Sequence, residues 1–533
     1  MAYKDLREFI AALEKDGQLL KVTEEVNWKY ELGGWARKSI DLGDAGPALL
    51  FENLKDYPQG YRVFTQGIST YRRFALAMGL SPDTPVQEII KVYKQRLQKP
   101  IDPVLVKDGP VKENIHTGDD INLFEFPIPW WTPKDGNRFL GTWHGIVTKD
   151  LNTGIQNVGL YRVQVHDEKH TGAGFLPYQH MGHHYAQRER INKPLEVAIV
   201  IGADETVVMS AATPVKPGVD EFRVASGLRG QAIELVKCAT VDLNVPANAE
   251  LVVEGLLLPH ERKQEGPFGE HPGYHGGSVR MRPILKVTGI MHRNNPIFVG
   301  SLLGKPVCEN HIVDNIVNSA EGLRMFEEEG PEGVVAINCP PEGDSVLGTV
   351  IAIKAHYVGQ SRSVGRIWIS KGVGKHTKCT VIVDDDIDPF DLGQVWWAIT
   401  TRTQGTRDIE VLRFGTTSRS DPSVPREHGE YTDKVIIDAT KKLDYPYNPH
   451  WGGHWAPVCV PPKEAMNLAD LKWRRMQGEK GLDQEIALAT QDMEGRAAQK
   501  WAAWRDKAYQ MTPEEREREI ALSYPIHASE EEE

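Results

Sequence analysis

Apolar residues recur at helical spacing near the start of the chain. Leu6, Phe9, Ile10 and Leu13 share one face, Asp5 and Glu8 form a D-x-x-E capping pattern before it, and the stripe ends near Gly17. A strand near Leu19–Val26 follows, then a helical stretch around Thr70–Leu80. Pro85–Gln98 reads as a further helix with Val86, Ile89, Ile90, Tyr93 and Leu97 on one side. These elements predict an N-terminal α/β domain over 1–110, closed by a Pro/Gly/Asp-rich linker at Pro100–Asp119. The texture then changes to short β-rich runs at Gly145–Lys149, Asn157–Val165, Glu196–Gly202, Ala249–Leu258, Arg282–Met291 and Pro296–Gly300. Turn residues separate them, which predicts a barrel-like or sandwich β domain over 120–305, with helices at His180–Ile191 and Arg229–Lys237.

Ile312, Ile316, Ala320 and Leu323 predict one long connecting helix at 309–329. Beyond it, over 330–450, strands at Gly333–Asn338, Thr349–Ile353 and Thr380–Val383 accompany a helix at Gln394–Thr401, the mark of a layered α/β domain. Residues 457–533 read as a charged helical tail (Ala465–Gln477, Gln484–Lys507, Pro513–Ile520) ending in the solvated run Glu530–Glu533. The fold class expected is therefore a multidomain α+β / α/β chain, with the tail packed against a neighbouring subunit.

The chain has 533 residues, of which 40% are hydrophobic and 26% charged, so the bulk of it is expected to fold as a soluble globular protein. Its 62 basic residues against 74 acids leave a net charge of −12, the wrong sign for a protein that binds nucleic acid. No apolar run reaches membrane-spanning length, and the amphipathic first helix does not read as a signal peptide. Five scattered cysteines without a CxxC pair point to reduced thiols and a cytoplasmic location.

The most informative stretch for chemistry is Glu265-Gly-Pro-Phe-Gly-Glu270, followed by His271-Pro-Gly-Tyr274. Two carboxylates on a rigid Gly/Pro turn suit general acid/base work, although exposed loop carboxylates are common. In Asn157-Val-Gly-Leu-Tyr-Arg162, a spacing of five puts Asn157 and Arg162 on opposite faces of a regular strand, unless Gly159 marks a bulge that re-aims them. Arg162 is a carboxylate clamp or a surface ion pair. The side chains of Asn157, His180 and Glu221 together would suit a moderately hard divalent ion, Mn²⁺ or Mg²⁺ rather than thiolate-bound zinc. The neighbouring His183 and His184 diverge on a helix and read as surface. Trp130, Trp131 and Trp143 read as core aromatics or as the lining of an aromatic pocket.

Taken in order, these stretches resemble the UbiD family of reversible, prenylated-flavin-dependent decarboxylases. The matching pieces are N-V-G-L-Y-R at 157–162, Q-H at 179–180, the Glu221-x8-Gly230 step, E-G-P-F-G-E at 265–270 and T-K-x5-D-D-D at 377–386. Similarity extends through Pro127-Ile-Pro129, Leu235-Val-Lys-Cys238, Val245-Pro-Ala247 and Trp397-Ala-Ile-Thr-Thr-Arg402, roughly residues 1–445. The resemblance implies that the central domain is a flavin-reductase-like split barrel that binds prenylated FMN. It implies Asn157, His180 and Glu221 as ligands of Mn²⁺ or another divalent metal, with K⁺ nearby. Thr142, Leu160, Tyr161, Arg162, Gln179, His180 and Lys378 then fall on cofactor-binding positions. Arg162, Glu265 and Glu270 match the family's catalytic set: Arg162 grips the substrate carboxylate, Glu265 holds the guanidinium, and Glu270 delivers the proton that replaces CO2.

Losing CO2 from an unsaturated carbon needs an electron sink, and no side chain is one, so a cofactor has to supply it. The substrate implied is an aromatic or α,β-unsaturated acid. Lys472-Trp-Arg-Arg475 raises the alternative of an aromatic acyl-CoA such as phthaloyl-CoA. Other implied partners are a flavin prenyltransferase that supplies the cofactor and further copies of the chain in a homo-oligomer, hexamer or dimer. The competing readings are an aromatic carboxylase running in reverse, a flavin-dependent oxidoreductase and a non-catalytic subunit.

Overall fold

The computed structural model describes residues 3–518 except 277–278, 419, 425–430, 449–450, 452, 509, 511 and 516. Residues 1–440 form one compact unit and 441–533 a second.

The first unit begins with the helix Leu6–Lys15, which buries Leu6, Phe9, Ile10 and Leu13, with Asp5 as its N-cap accepting from the Glu8 amide. The strand near Leu19 is shorter than its apolar run, Leu19–Val22, and pairs in parallel with Ala48–Phe51. Arg62–Thr65 and Ile297–Val299 complete this four-stranded sheet. The last of these comes from the run expected in the central β domain: Ile297–Val299 lies alongside Arg62–Thr65, not in the central sheet.

A nine-stranded antiparallel sheet dominates the centre. In chain order its strands are β1 (Asn114–Thr117), β2 (Phe139–Gly141), β3 (Gly145–Lys149), β4 (Gln156–Gly159), β5 (Arg162–Asp167), β6 (His170–Gly174), β7 (Leu195–Ile201), β8 (Leu251–Glu265) and β9 (Arg280–His292). They are hydrogen-bonded in the order β2-β5-β6-β9-β8-β7-β3-β4, with β1 added to the end of β9. In a flat sheet β5 and β4 would stand about 29 Å apart, six spacings at ~4.8 Å each. Only Leu160 and Tyr161 join them, and the link from Gly159 to Arg162 spans at most about 11 Å. The sheet therefore curls into a half-barrel, and its two ends meet at the dipeptide between Asn157 and Arg162.

Two readings of this region change. Pro100–Asp119 is not a bare linker, because Val104–Leu105 pairs with Glu234–Lys237 and β1 extends the central sheet. The helix expected at Arg229–Lys237 lies earlier, at Glu221–Arg229. Asp220 caps its start and Gly230, at φ 79°, ends it in the left-handed conformation, so Glu234–Lys237 is released as a strand.

The 21-residue helix Glu309–Glu329 follows, with Ile312, Val313, Ile316, Val317 and Ala320 buried. A five-stranded sheet comes next, ordered Val334–Asn338, Gly348–Ile353, Cys379–Asp384, Tyr431–Ala439 and Ile409–Thr416. Helices Gln360–Ser370 and Leu392–Arg402 accompany it, and Trp368 is buried among Phe326, Ile337 and Ile382. The second unit carries helices Lys463–Met476 and Asp483–Asp492 around a small core of Leu471, Leu482, Ile486 and Ala489. A π-helical turn at Met493–Ala497 interrupts the helix expected over Gln484–Lys507 before Ala498–Ala508 resumes. Ile520 and Glu530–Glu533 lie outside the described residues. The chain is thus a multidomain α+β protein built around a curled half-barrel. Among the described residues no helix is long and apolar enough to cross a membrane, and all five cysteines are free.

Candidate active site

The register of the curled sheet sets the first cluster. Glu265 is the last residue of β8, held opposite Arg280 on β9, and Arg162 is the first residue of β5. Glu265 is fully buried and takes one whole edge of the guanidinium: Nε donates to Oε1 at 2.8 Å and Nη2 to Oε2 at 2.9 Å. Nη1 donates to Glu270 Oε1 at 2.7 Å. Between the two acids, Gly266 has φ 91°, and its N–H donates to Gln164 Oε1 at 2.6 Å. Phe268–Gly269 then pairs with His275–Gly276, so Glu270 sits at the tip of a short hairpin with its N–H bonded to Tyr274 O.

Two glycines make room for this set. A Cβ on Gly174, paired with Arg162 across β6, would lie 2.9 Å from Arg162 Cγ, and one on Gly276 would lie 2.1 Å from Glu270 Cγ. Burial works against the charge of Arg162, but the two carboxylates outweigh it and hold the guanidinium above its ordinary value. The side chain of Glu265 is 0% exposed and that of Glu270 30%, so of the two acids only Glu270 has direct access to solvent.

The second cluster lies across the Leu160–Tyr161 link. Asn157 on β4 faces His180, the first residue of helix His180–Arg190, and Glu221, the first of Glu221–Arg229. Asn157 Nδ2 is 3.0 Å from His180 Nδ1 and donates to Glu221 Oε1, while Glu221 Oε2 accepts from Val158 N at 2.8 Å. Asn157 Oδ1 is buried without a partner. Turning the amide over about its last bond leaves its shape unchanged and puts that oxygen beside the His180 nitrogen and the Glu221 oxygen. The result is an O, N, O donor set, which fits a moderately hard divalent cation. Asn157 and Arg162 thus serve different clusters because β4 and β5 end at this link, rather than through one strand's two faces or a bulge at Gly159.

The other expected residues are more dispersed. Leu160 is half-buried and Tyr161 buried, the Tyr161 carbonyl accepting from His144 Nε2 at 2.9 Å. Burial lowers the pKa of His144 to about 4, so its ring is neutral. Gln179 Oε1 accepts from Leu176 N at 2.7 Å, and Thr142 Oγ1 from Ser301 N at 3.0 Å. Lys378 bonds Asp421 at 3.2 Å and Ser423, and none of these described bonds joins it to either cluster. His183 is exposed, whereas His184 is buried and bonded to Thr148 Oγ1. Trp131 and Trp143 are core residues, and Trp143 Nε1 donates to Glu205 Oε2 at 3.1 Å.

Two features have no counterpart among the sequence expectations. Burial raises Glu205 to a pKa of about 8, which leaves an uncharged acid behind Trp143 at neutral pH. His271, next to Glu270, is clamped between Asp344 and Asp314 Oδ2, the latter 3.1 Å from its Nε2. Burial opposes its charge, yet the two aspartates raise its pKa to about 10. Those aspartates lie far along the chain, and no local pattern marks the contact.

This curled half-barrel in a multidomain α+β chain matches the architecture of UbiD-class structures. The chain belongs to the UbiD family of carboxy-lyases: 10–93, 104–306 and 311–439 match the N-terminal, Rift-related and C-terminal domains of 3-octaprenyl-4-hydroxybenzoate carboxy-lyase. It is an enzyme of the decarboxylase type. Among curated relatives, it is 35% identical over 464 residues to the phenolic acid decarboxylase of Bacillus subtilis, covering 86% of this chain and 95% of that protein. Among solved structures it is similar to the vanillic acid decarboxylase of Sedimentibacter hydroxybenzoicus in open form, with TM-score 0.81, 33% identity and coverage of 90% of this chain and 100% of that one. It is also similar to an evolved dimeric form of the UbiD-class enzyme HmfF from Pelotomaculum thermopropionicum in complex with prFMN, with TM-score 0.74, 30% identity and coverage of 88% and 100%.

Proposed function

We propose that this protein is a non-oxidative decarboxylase of a free aromatic carboxylic acid, dependent on prenylated FMN and a divalent metal. The observation that carries this reading is the fork of Arg162 on buried Glu265, which leaves Nη1 as the outward donor with Glu270 beside it. In this reading the central half-barrel is the cofactor-binding split barrel. Asn157, His180 and Glu221 hold Mn²⁺ or a similar ion, with K⁺ nearby, and Thr142, Leu160, Tyr161, Gln179 and Lys378 contact the flavin. Prenylated FMN supplies the electron sink that no side chain offers.

The chain's own residues then have separate tasks. Glu265 fixes the plane of the guanidinium, so Arg162 meets the substrate carboxylate through Nη1 without reorganising. An incoming carboxylate takes Nη1 from Glu270. Glu270, released from its ion pair with Arg162 and open to solvent, takes up a proton from water and passes it to the ring carbon as CO2 leaves, which returns it to the carboxylate form. A free acid is favoured over a CoA thioester because curated relatives that match most of this chain are named phenolic acid decarboxylases. The cofactor comes from a flavin prenyltransferase, and the working form is a homo-oligomer.

Co-expression with a flavin prenyltransferase tests the proposal. The expected result is a flavoprotein whose released cofactor has the mass of prenylated FMN, and which liberates CO2 from hydroxybenzoic or cinnamic acids. Activity with unmodified FMN alone, or none with any aromatic acid in either direction, overturns it.

A further inference from the structure

At the far end of β9 from Glu265, three metal-ligating side chains meet that share no residue with either cluster above. His116 on β1 is registered with Ile290 on β9, so His292, two residues on, lies on the same face one diagonal step away. Their imidazoles stand edge to face at 5.0 Å, with the Nε2 atoms 3.3 Å apart. Glu125, at the end of the short helical turn Leu123–Glu125, places Oε2 3.3 Å from His116 Nδ1. One ligand atom from each of the three residues lies within 4.8 Å of the others.

The hydrogen bonds around the cluster leave it short of a positive charge. His292 Nδ1 donates to the Arg293 carbonyl at 2.9 Å, which leaves Nε2 as a lone pair directed at His116. His116 Nε2 therefore faces a lone pair and its Nδ1 faces a carboxylate, and Nδ1 is buried without a well-formed hydrogen bond. A neutral imidazole has one proton for these two contacts, so one of them sets electron pair against electron pair. Tyr61 donates to the other Glu125 oxygen at 2.8 Å and orients the carboxylate, as outer partners orient metal ligands.

We infer that His116, His292 and Glu125 form a second metal site, for a zinc-class divalent ion, that pins the 113–126 segment to the end of the central sheet. Two imidazoles and one carboxylate are the donor set zinc takes, and imidazole nitrogens disfavour magnesium and calcium. Ligands about 2.0–2.1 Å from a tetrahedral ion sit about 3.4 Å from one another, close to the spacing of the two imidazole Nε2 atoms. Glu125 is part-exposed and needs only a side-chain adjustment to complete the set. The partly exposed side of the cluster leaves the fourth position to water.

The inference does not depend on the proposed reaction, and its test reads metal rather than turnover. Tag-free, flavin-loaded protein is titrated with Co²⁺ as the spectroscopic probe, and bound metal is counted. The expected result is one equivalent beyond that of the Asn157–His180–Glu221 cluster, with intense tetrahedral d–d bands. His116→Gln and Glu125→Gln should each weaken Co²⁺ binding by more than about 100-fold, because loss of outer-shell partners alone costs 10–100-fold. Both variants should keep their flavin absorbance and fold, and Glu221→Ala should keep the bands. No extra equivalent, bands that vanish only in Glu221→Ala, or equal binding by wild type and His116→Gln overturns the inference. An imidazolium at His116 is the competing arrangement, and it predicts the first of these results.

Discussion

Glu265 closes a two-bond fork on Arg162, 103 residues earlier in the chain, and does so fully buried. Breaking a buried ion pair by removing one partner typically costs about 3–5 kcal/mol, so Glu265 has a structural share in the site as well as a chemical one. Glu270 bonds the same guanidinium from a part-exposed position. The two acids therefore answer to different tests.

Glu270→Gln should fold, bind flavin and metal normally, and lose turnover by about 10²–10⁴-fold, the usual contribution of a positioned proton donor. Flavin absorbance, melting temperature and CO2 release are measured together. Near-normal release removes Glu270 from the reaction.

Gly276→Ala should impair the same step without touching a charged group. The new methyl would lie 2.1 Å from Glu270 Cγ, so the carboxylate must move away from Arg162. Displacements of about 1 Å cost on the order of 10²-fold in rate. The expected pattern is a kcat loss of that order with KM little changed, and unchanged kcat would contradict the geometry.

His271 should make stability fall toward alkaline pH. Its pKa is raised in the folded chain, from 6.5 to about 10, so its stabilisation is complete below about pH 6.5 and disappears as pH rises through 10. The slope between those limits is at most about 1.4 kcal/mol per pH unit. Melting curves of wild type and His271→Gln from pH 6 to 10 should converge at the alkaline end. Parallel curves would place the proton elsewhere.

His180→Ala and Glu221→Ala should each lose divalent metal and flavin together, since each removes a donor from the set around Asn157. Metal analysis beside the visible spectrum is the measurement. A variant with full flavin absorbance and no metal separates the two functions and sinks the shared assignment.

Much of the fold was legible wherever one periodicity ran uninterrupted. The stripe of Leu6, Phe9, Ile10 and Leu13 and the long helix from Glu309 form as their spacing requires. The misplaced helix at Arg229–Lys237 had its correction in plain sight: Asp220 is an N-cap residue and Gly230 a C-terminal stop. The strand at Ile297–Val299 had no such signal, because its partner Arg62–Thr65 is chosen by tertiary pairing and not by neighbouring residues.

What the residues determined unaided was chemistry and local shape: two acids on a Gly/Pro turn, an arginine, an N/O donor set and the helices and strands that carry them. What only the folded chain decided was which of them meet. Arg162 and Asn157 stand five residues apart yet serve different clusters, because the half-barrel brings its two ends together between them. His116, Glu125 and His292, like His271 and its two aspartates, are joined by strand register and long-range packing. A one-dimensional pattern records spacing along the chain, whereas a bond across a sheet depends on where two distant segments are held in space.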